Sequence, residues 1–129
     1  MYLARQGGAL PDSIVEAEKA VGFVYFCEQA ALIFGSDRRE PTSHRPVVGI
    51  RNDGPRVVVL PCTTKDQTGL PDFFELNGDR VMWSRPSDGR NSFAYYRYEV
   101  VGSTRLKGKI GLMPQPARIE LLTWLKQRY

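Results

Sequence analysis

The sequence lacks any long hydrophobic run. Its longest apolar stretch, residues 20–27, is far short of the ~20 residues that cross a bilayer as a helix. The first residues do not read as a secretory signal, because Pro11, Asp12, Glu16 and Glu18 break the apolar segment such a signal needs. Cysteine is scarce. Cys27 and Cys62 stand far apart, which excludes a disulfide framework and predicts reduced, buried thiols in a cytoplasmic protein. Histidine occurs once, at His44. No internal repeat or low-complexity block is present, and 129 residues leave too little chain for a second independent core. The expectation is one domain over residues 1–129, with residues 1–20 as an N-terminal extension.

Positive charge is what the chain does have. It carries 18 Lys plus Arg against 14 Asp plus Glu, a formal net charge of +4. Residues 1–44 hold four basic and six acidic residues, a balance of −2, whereas residues 45–129 hold 14 basic and 8 acidic, a balance of +6. Thirteen of the 18 cations are arginine. A guanidinium is a planar fork that pairs bidentately with phosphate and stacks on bases. The basic second half therefore fits nucleic acid as a partner, and equally fits a solvated basic surface.

Pro11-Asp12-Ser13 opens a helix that Gly22 ends, and its early acidic residues suit a helix start. Residues 23–27 read as a strand, 30–34 as its continuation or a short helical turn, and 35–44 as a polar loop. From Pro46 on, the pattern is of short strands at 47–50, 57–60, 73–76, 81–85 and 93–101. Turns fall at Asn52-Asp53-Gly54-Pro55 and Asn77-Gly78-Asp79, with polar loops at 61–71 and 86–91. Residues 57–60 are all apolar, which predicts burial on both faces. Along 93–101, Tyr96, Tyr98 and Val100 alternate with Tyr95, Arg97 and Glu99. A closing helix spans 116–127, with Ile119, Leu122 and Leu125 as its inner stripe. The fold class is mainly β with flanking helices, a small, strongly curved antiparallel barrel.

Two segments carry more than fold. His44-Arg45-Pro46-Val47-Val48 precedes Val57-Val58-Val59-Leu60-Pro61-Cys62-Thr63-Thr64-Lys65, and Gly69, Pro71 and Phe74-Glu75-Leu76 follow. This order and spacing resemble the MazF/PemK family of toxin endoribonucleases, in which Arg-Pro begins one strand and Pro-Cys-Thr-Thr or a near variant closes the next. The resemblance is dense over 44–76, weaker over 101–111, and absent over 1–20. It implies an SH3-like barrel with a C-terminal helix, here with an extra N-terminal helix. It also implies a homodimer that cleaves single-stranded RNA without metal or cofactor and is silenced by an antitoxin protein. Arg45 and Thr63 match the family's active-site positions, with His44 beside them.

Metal-free RNA cleavage uses the substrate's own 2′-hydroxyl as nucleophile. The protein must supply a base, a donor to the charge developing on phosphate, and a proton for the leaving 5′-oxygen. Arg45 precedes proline, so its backbone is biased to extended geometry. It suits charge stabilisation and is a poor proton donor. Thr63 or Thr64 can donate a hydroxyl to phosphate, or can simply shape the turn after a buried strand. His44 can act as acid or base, or be a solvated loop residue. Lys65 offers a cation beside them, and Tyr95 with Arg97 can stack bases and grip the backbone. The chain departs from the family in three places, one of them the loop 35–44, which is longer than typical and whose Asp37 and Glu40 do not align with the family's acidic residue. Val21-Gly22-Phe23 stands where Gly-Asp usually begins the first strand, and Tyr96-Arg97 stands where an Asp-Gln is common, leaving Glu99 as the nearest carboxylate. The general base is therefore unassigned. Two other readings fit the same barrel: a non-catalytic module for a protein target, as in the related CcdB branch, or an RNA-binding domain that holds without cutting. The apolar faces of residues 110–113 and of the last helix motivate the dimer.

Overall fold

The run Val57-Val58-Val59-Leu60 offers no side chain to water on either face, and in a computed structural model it lies in the middle of an antiparallel sheet. Residues 22–37, 43–77, 79–84 and 92–129 are described. The expected N-terminal helix, residues 38–42 of the polar loop, Arg85 and the 86–91 loop lie outside them. Eight strands follow in order: β1 (Phe23–Glu28), β2 (His44–Asp53), β3 (Arg56–Thr63), β4 (Phe73–Leu76), β5 (Met82–Trp83), β6 (Ser92–Tyr95), β7 (Glu99–Gly102) and β8 (Leu106–Leu112). A 3-10 turn at Gln29–Ala31 follows β1, another at Ser103–Arg105 joins β7 to β8, and the helix α1 (Gln115–Gln127) ends the chain. The sheet runs β4-β6-β3-β2-β1-β8-β5, with β7 added beside β3. Among the described residues its two ends do not pair with each other. The architecture is thus the expected antiparallel one with a C-terminal helix, curved but open along this path.

β2 and β3 form a hairpin whose two-residue turn is Gly54-Pro55, since Asp53 pairs with Arg56. Gly54 has φ of 70°, and a positive φ followed by proline suits the type II′ turn, which matches strand twist. β3 then serves two partners on its far side. Val57 and Val59 pair with Val101 and Glu99 of β7, whereas Cys62 and Thr63 pair with Ala94 and Phe93 of β6. The change falls across Pro61, which has no amide hydrogen for a continuous ladder.

Alternation along these strands builds two apolar clusters. Val24, Val48, Val58, Leu60 and Cys62 face Met113 and the helix residues Leu121, Leu122 and Leu125. Cys27, Val47, Val57, Val59 and Val101 face the other way, under Leu32 and Leu106. Both faces of β3 are therefore buried, as the unbroken apolar run requires. Both cysteines are free and buried.

Three expectations need correction. The inner stripe of α1 is Ala117, Leu121, Leu122 and Leu125, and Ile119 is exposed. The stripe runs at i, i+4 and i+8 from Ala117, so a small residue was the missing reference point. Residues 93–101 are not one strand, because the chain bends at Tyr96 and Arg97 between β6 and β7. Of the apolar residues offered as a dimer face, Ile110, Met113, Leu121, Leu122 and Leu125 are buried within the chain itself, while Leu112 is half-buried and Ile119 is exposed.

Helix α1 also fixes the loop between β3 and β4. Trp124 donates its indole N–H to the Pro71 carbonyl at 3.0 Å, and Arg128 pairs with Asp72 at 3.0 Å. Arg80 lies over the Phe74 ring and grips Glu120 through two donors, at 3.2 and 3.1 Å.

Candidate functional site

The start of β2 and the end of β3 lie at the same edge of the sheet. Val47 pairs with Pro61, and that register carried two residues further sets Arg45 beside Thr63. β1 places Cys27 opposite Arg45 and Glu28 opposite His44. With the segment after β1, the loop after β3 and the end of β6, these strand ends border an open cleft of about 1230 Å³. His44, Arg45, Thr63, Thr64, Lys65 and Tyr95 all line it. Arg97 does not line it. It lies beyond the bend after β6, where its Nε donates to the Tyr96 hydroxyl at 3.0 Å and its guanidinium covers the Tyr96 ring. The shared face assumed for Tyr95 and Arg97 is lost because the alternation stops at that bend.

Arg45 is only 5% exposed, so the way its charge is held matters. Its Nε donates to Gln29 Oε1 at 2.7 Å, and its Nη1 donates to the Cys62 carbonyl at 3.0 Å. The guanidinium carbon sits 4.9 Å from the centre of the Phe34 ring. A guanidinium stays charged at any ordinary pH. The cleft wall thus carries a fixed positive charge where solvent screens it less than at the open surface. That suits an accumulating negative charge and does not suit proton donation.

The partners of Arg45 are themselves held. Gln29 Nε2 donates to the Phe34 carbonyl at 2.6 Å. Glu99 accepts the Ile33 N–H at 2.7 Å and the Phe34 N–H at 3.0 Å, one on each carboxylate oxygen. Glu99 is therefore committed to backbone and does not line the cleft. Gly35 has φ of 80°, and a Cβ there would collide with Arg45 Nη2.

Thr63 is buried at the cleft edge, and its hydroxyl oxygen accepts the Lys65 N–H at 3.1 Å. The hydroxyl thus shapes the turn and keeps its own hydrogen to donate. Thr64 and Lys65 are exposed at the rim. His44 is exposed, with Nδ1 3.0 Å from the Ser43 hydroxyl. Beside it Glu28 is clamped by Lys107 and Arg105, each at 2.8 Å, and these hydrogen bonds hold its carboxyl down at about 2.

The cleft has an aromatic floor. The Tyr95 ring lies 5.2 Å from that of Phe34 and 5.1 Å from that of Phe73. Burial, then the neighbouring Tyr96, pushes the Tyr95 phenol up, so its hydroxyl stays protonated and can donate. The carboxylates along the cleft are Asp37 and Asp72, the latter paired with Arg128. Burial pushes the Cys62 thiol to about 12 against the pull of the Arg45 charge, which makes it a core residue and not a nucleophile. Among the described residues, no group of three or more His, Cys, Asp or Glu could hold a metal ion.

Sequence reasoning missed Gln29, Phe34, Phe73 and the anchoring use of Glu99. Gln29 carried one signal, a polar residue directly after an apolar strand. The rest depend on long-range contacts without a local pattern.

No family model and no curated protein matches the sequence. The fold does have relatives among solved structures. The Mycobacterium tuberculosis toxin MazF-mt6 superposes with a TM-score of 0.52 at 16% identity, over 80% of this chain and 94% of that one. A structure described as an Mtb toxin gives 0.53 at 16% identity, over 66% and 92%. An endoribonuclease from a mycobacterial species gives 0.49 at 18% identity, over 83% and 86%. The antiparallel sheet with its C-terminal helix is therefore similar in fold to the toxin MazF-mt6, nearly all of which it matches.

Proposed function

We propose that this chain is the toxin of a toxin–antitoxin pair, a metal-independent endoribonuclease that cuts single-stranded RNA. The observation that supports the reading best is the convergence of Arg45 and Thr63, with His44 and Lys65, in one open cleft over an aromatic floor. The MazF-like fold is the second support. A single-stranded backbone entering the cleft meets a buried guanidinium and rim cations, and its bases can stack on Phe34, Phe73 and Tyr95. The ribose 2′-oxygen then attacks phosphorus while the bond from phosphorus to the 5′-oxygen breaks. The products are a 2′,3′-cyclic phosphate and a free 5′-hydroxyl. Arg45 and the Thr63 hydroxyl stabilise the charge that builds on the phosphoryl oxygens. In this scheme the His44 imidazole, at the cleft edge, accepts the proton of the attacking 2′-hydroxyl, and the leaving 5′-oxygen takes its proton from solvent in the open cleft.

The chain acts as a single domain over residues 1–129, in the cytoplasm, as a homodimer. An acidic antitoxin segment laid over the basic cleft would silence it. No helix among the described residues is long and apolar enough to cross a membrane.

The test is incubation with a varied set of single-stranded RNAs in EDTA. Cleavage is expected, with 2′,3′-cyclic phosphate ends, loss of cutting where the ribose at the cut site is 2′-deoxy, and loss in Arg45→Ala. Intact RNA across the whole set, with or without binding, would replace this reading with the binding-module one.

A further inference from the structure

Arg45 does not hold its own position; a separate part of the chain sets it. The segment from Gln29 to Gly35 folds over the guanidinium. Gln29 accepts from Nε, Phe34 presents its ring face at 4.9 Å, and Gly35 leaves room for Nη2 only because it has no Cβ. The segment is tied to its surroundings and to itself, beginning with the Gln29 backbone N–H, which donates to the Ser43 carbonyl at 2.9 Å. Gln29 bonds the Phe34 carbonyl, and Glu99 binds the Ile33 and Phe34 amides with its two oxygens, 66 and 65 residues away in sequence. Glu99 in turn stands on β7, paired with Val59 of the central strand. Glu99 thus transmits the position of the rigid sheet to the segment, and Gln29 transmits the segment's position to the guanidinium. Neither the Glu99 carboxylate nor Gln29 lines the cleft.

We propose that Gln29 and Glu99 are positioning residues for Arg45, holding its guanidinium in the one orientation from which it serves the phosphate. The proposal rests on the ribonuclease reading for its kinetic consequence, and on geometry alone for its structural one. Displacing a charge-stabilising group by about 1 Å costs up to about 100-fold in rate.

The experiment has two arms on the full chain. In the kinetic arm, Glu99→Gln and Gln29→Leu each lower kcat for RNA cleavage by about 10- to 100-fold with KM little changed. Both substitutions are close to silent when Arg45 is already Lys, because they act only through the guanidinium. Equal losses in both backgrounds, or a fall confined to KM, would overturn the proposal in favour of a merely structural role. The second arm uses nitrogen–hydrogen NMR of arginine side chains and needs no cleavage at all. The Arg45 Nε–H, assigned by its loss in Arg45→Lys, exchanges slowly in the native protein and becomes fast or moves in Gln29→Leu and Glu99→Gln. An unchanged signal in both variants would also overturn it. If the native protein cuts no RNA, the functional reading falls on the first arm while the second still decides the positioning.

Discussion

The partners of Arg45 include Gln29 Oε1, the Cys62 carbonyl and the face of Phe34, and each constrains what can replace it. Lysine has the charge and not the fork, so Arg45→Lys should lose about 100-fold or more in cleavage. Arg45→Ala additionally strands Gln29 Oε1 and the Cys62 carbonyl without their donor. Urea unfolding should register a loss of roughly 1–3 kcal/mol for each buried acceptor left unmet. Thr63→Val keeps the shape and removes the hydroxyl that accepts the Lys65 N–H, an expected cost of about 1 kcal/mol, with a further drop in cleavage. The thiols of Cys27 and Cys62 are pushed to about 11 and about 12, chiefly by burial. Alkylation at pH 8 should therefore label neither until the protein is unfolded. Rapid native labelling of Cys62 would contradict the burial on which the Arg45 cradle depends.

Among elements, the strands were more legible than the connections. The apolar run of β3, the turn at Gly54-Pro55 and the closing helix follow from local composition. The meeting of Arg45 and Thr63 in one cleft could be anticipated only because the segments around them resemble a known family. The bend at Tyr96-Arg97 interrupts an alternation that looks continuous. The chain has to leave β6 and cross to β7 on another stretch of β3, and nothing local announces that change of partner. The anchoring of residues 33 and 34 by Glu99 was illegible for the same reason. Helix α1 should be indispensable, since Leu125 is fully buried and Leu125→Ala is expected to cost about 2–5 kcal/mol in chemical denaturation. The clamp on Glu28 ties β1 to β8 and has a pH signature. Its carboxyl titrates at about 2 when folded and at an ordinary 4.5 when free, so the folded state gains from the charged form. That contribution is complete above pH 4.5 and is lost as pH falls toward 2. Glu28→Gln should flatten this part of the stability profile; an unchanged profile would mean that the clamp is not formed in solution.

For the molecule as a whole, the net charge of +4 sets how it meets a polyanion. Binding to a non-cleavable single-stranded RNA should weaken steeply with salt. On the proposed RNA-binding role, replacing one exposed cation of the cleft, as in Lys65→Ala, should reduce the slope of log affinity against log salt by about 0.7. The way the cleft is assembled has a consequence for synthesis. Its parts come from Gln29 to Gly35, from both strands of the β2–β3 hairpin, and from Glu99; Trp124 and Arg128 secure the loop at Pro71 and Asp72. A polypeptide made only as far as β3 carries Arg45 and Thr63 but lacks Glu99, Trp124 and Arg128, so its cleft is unfinished.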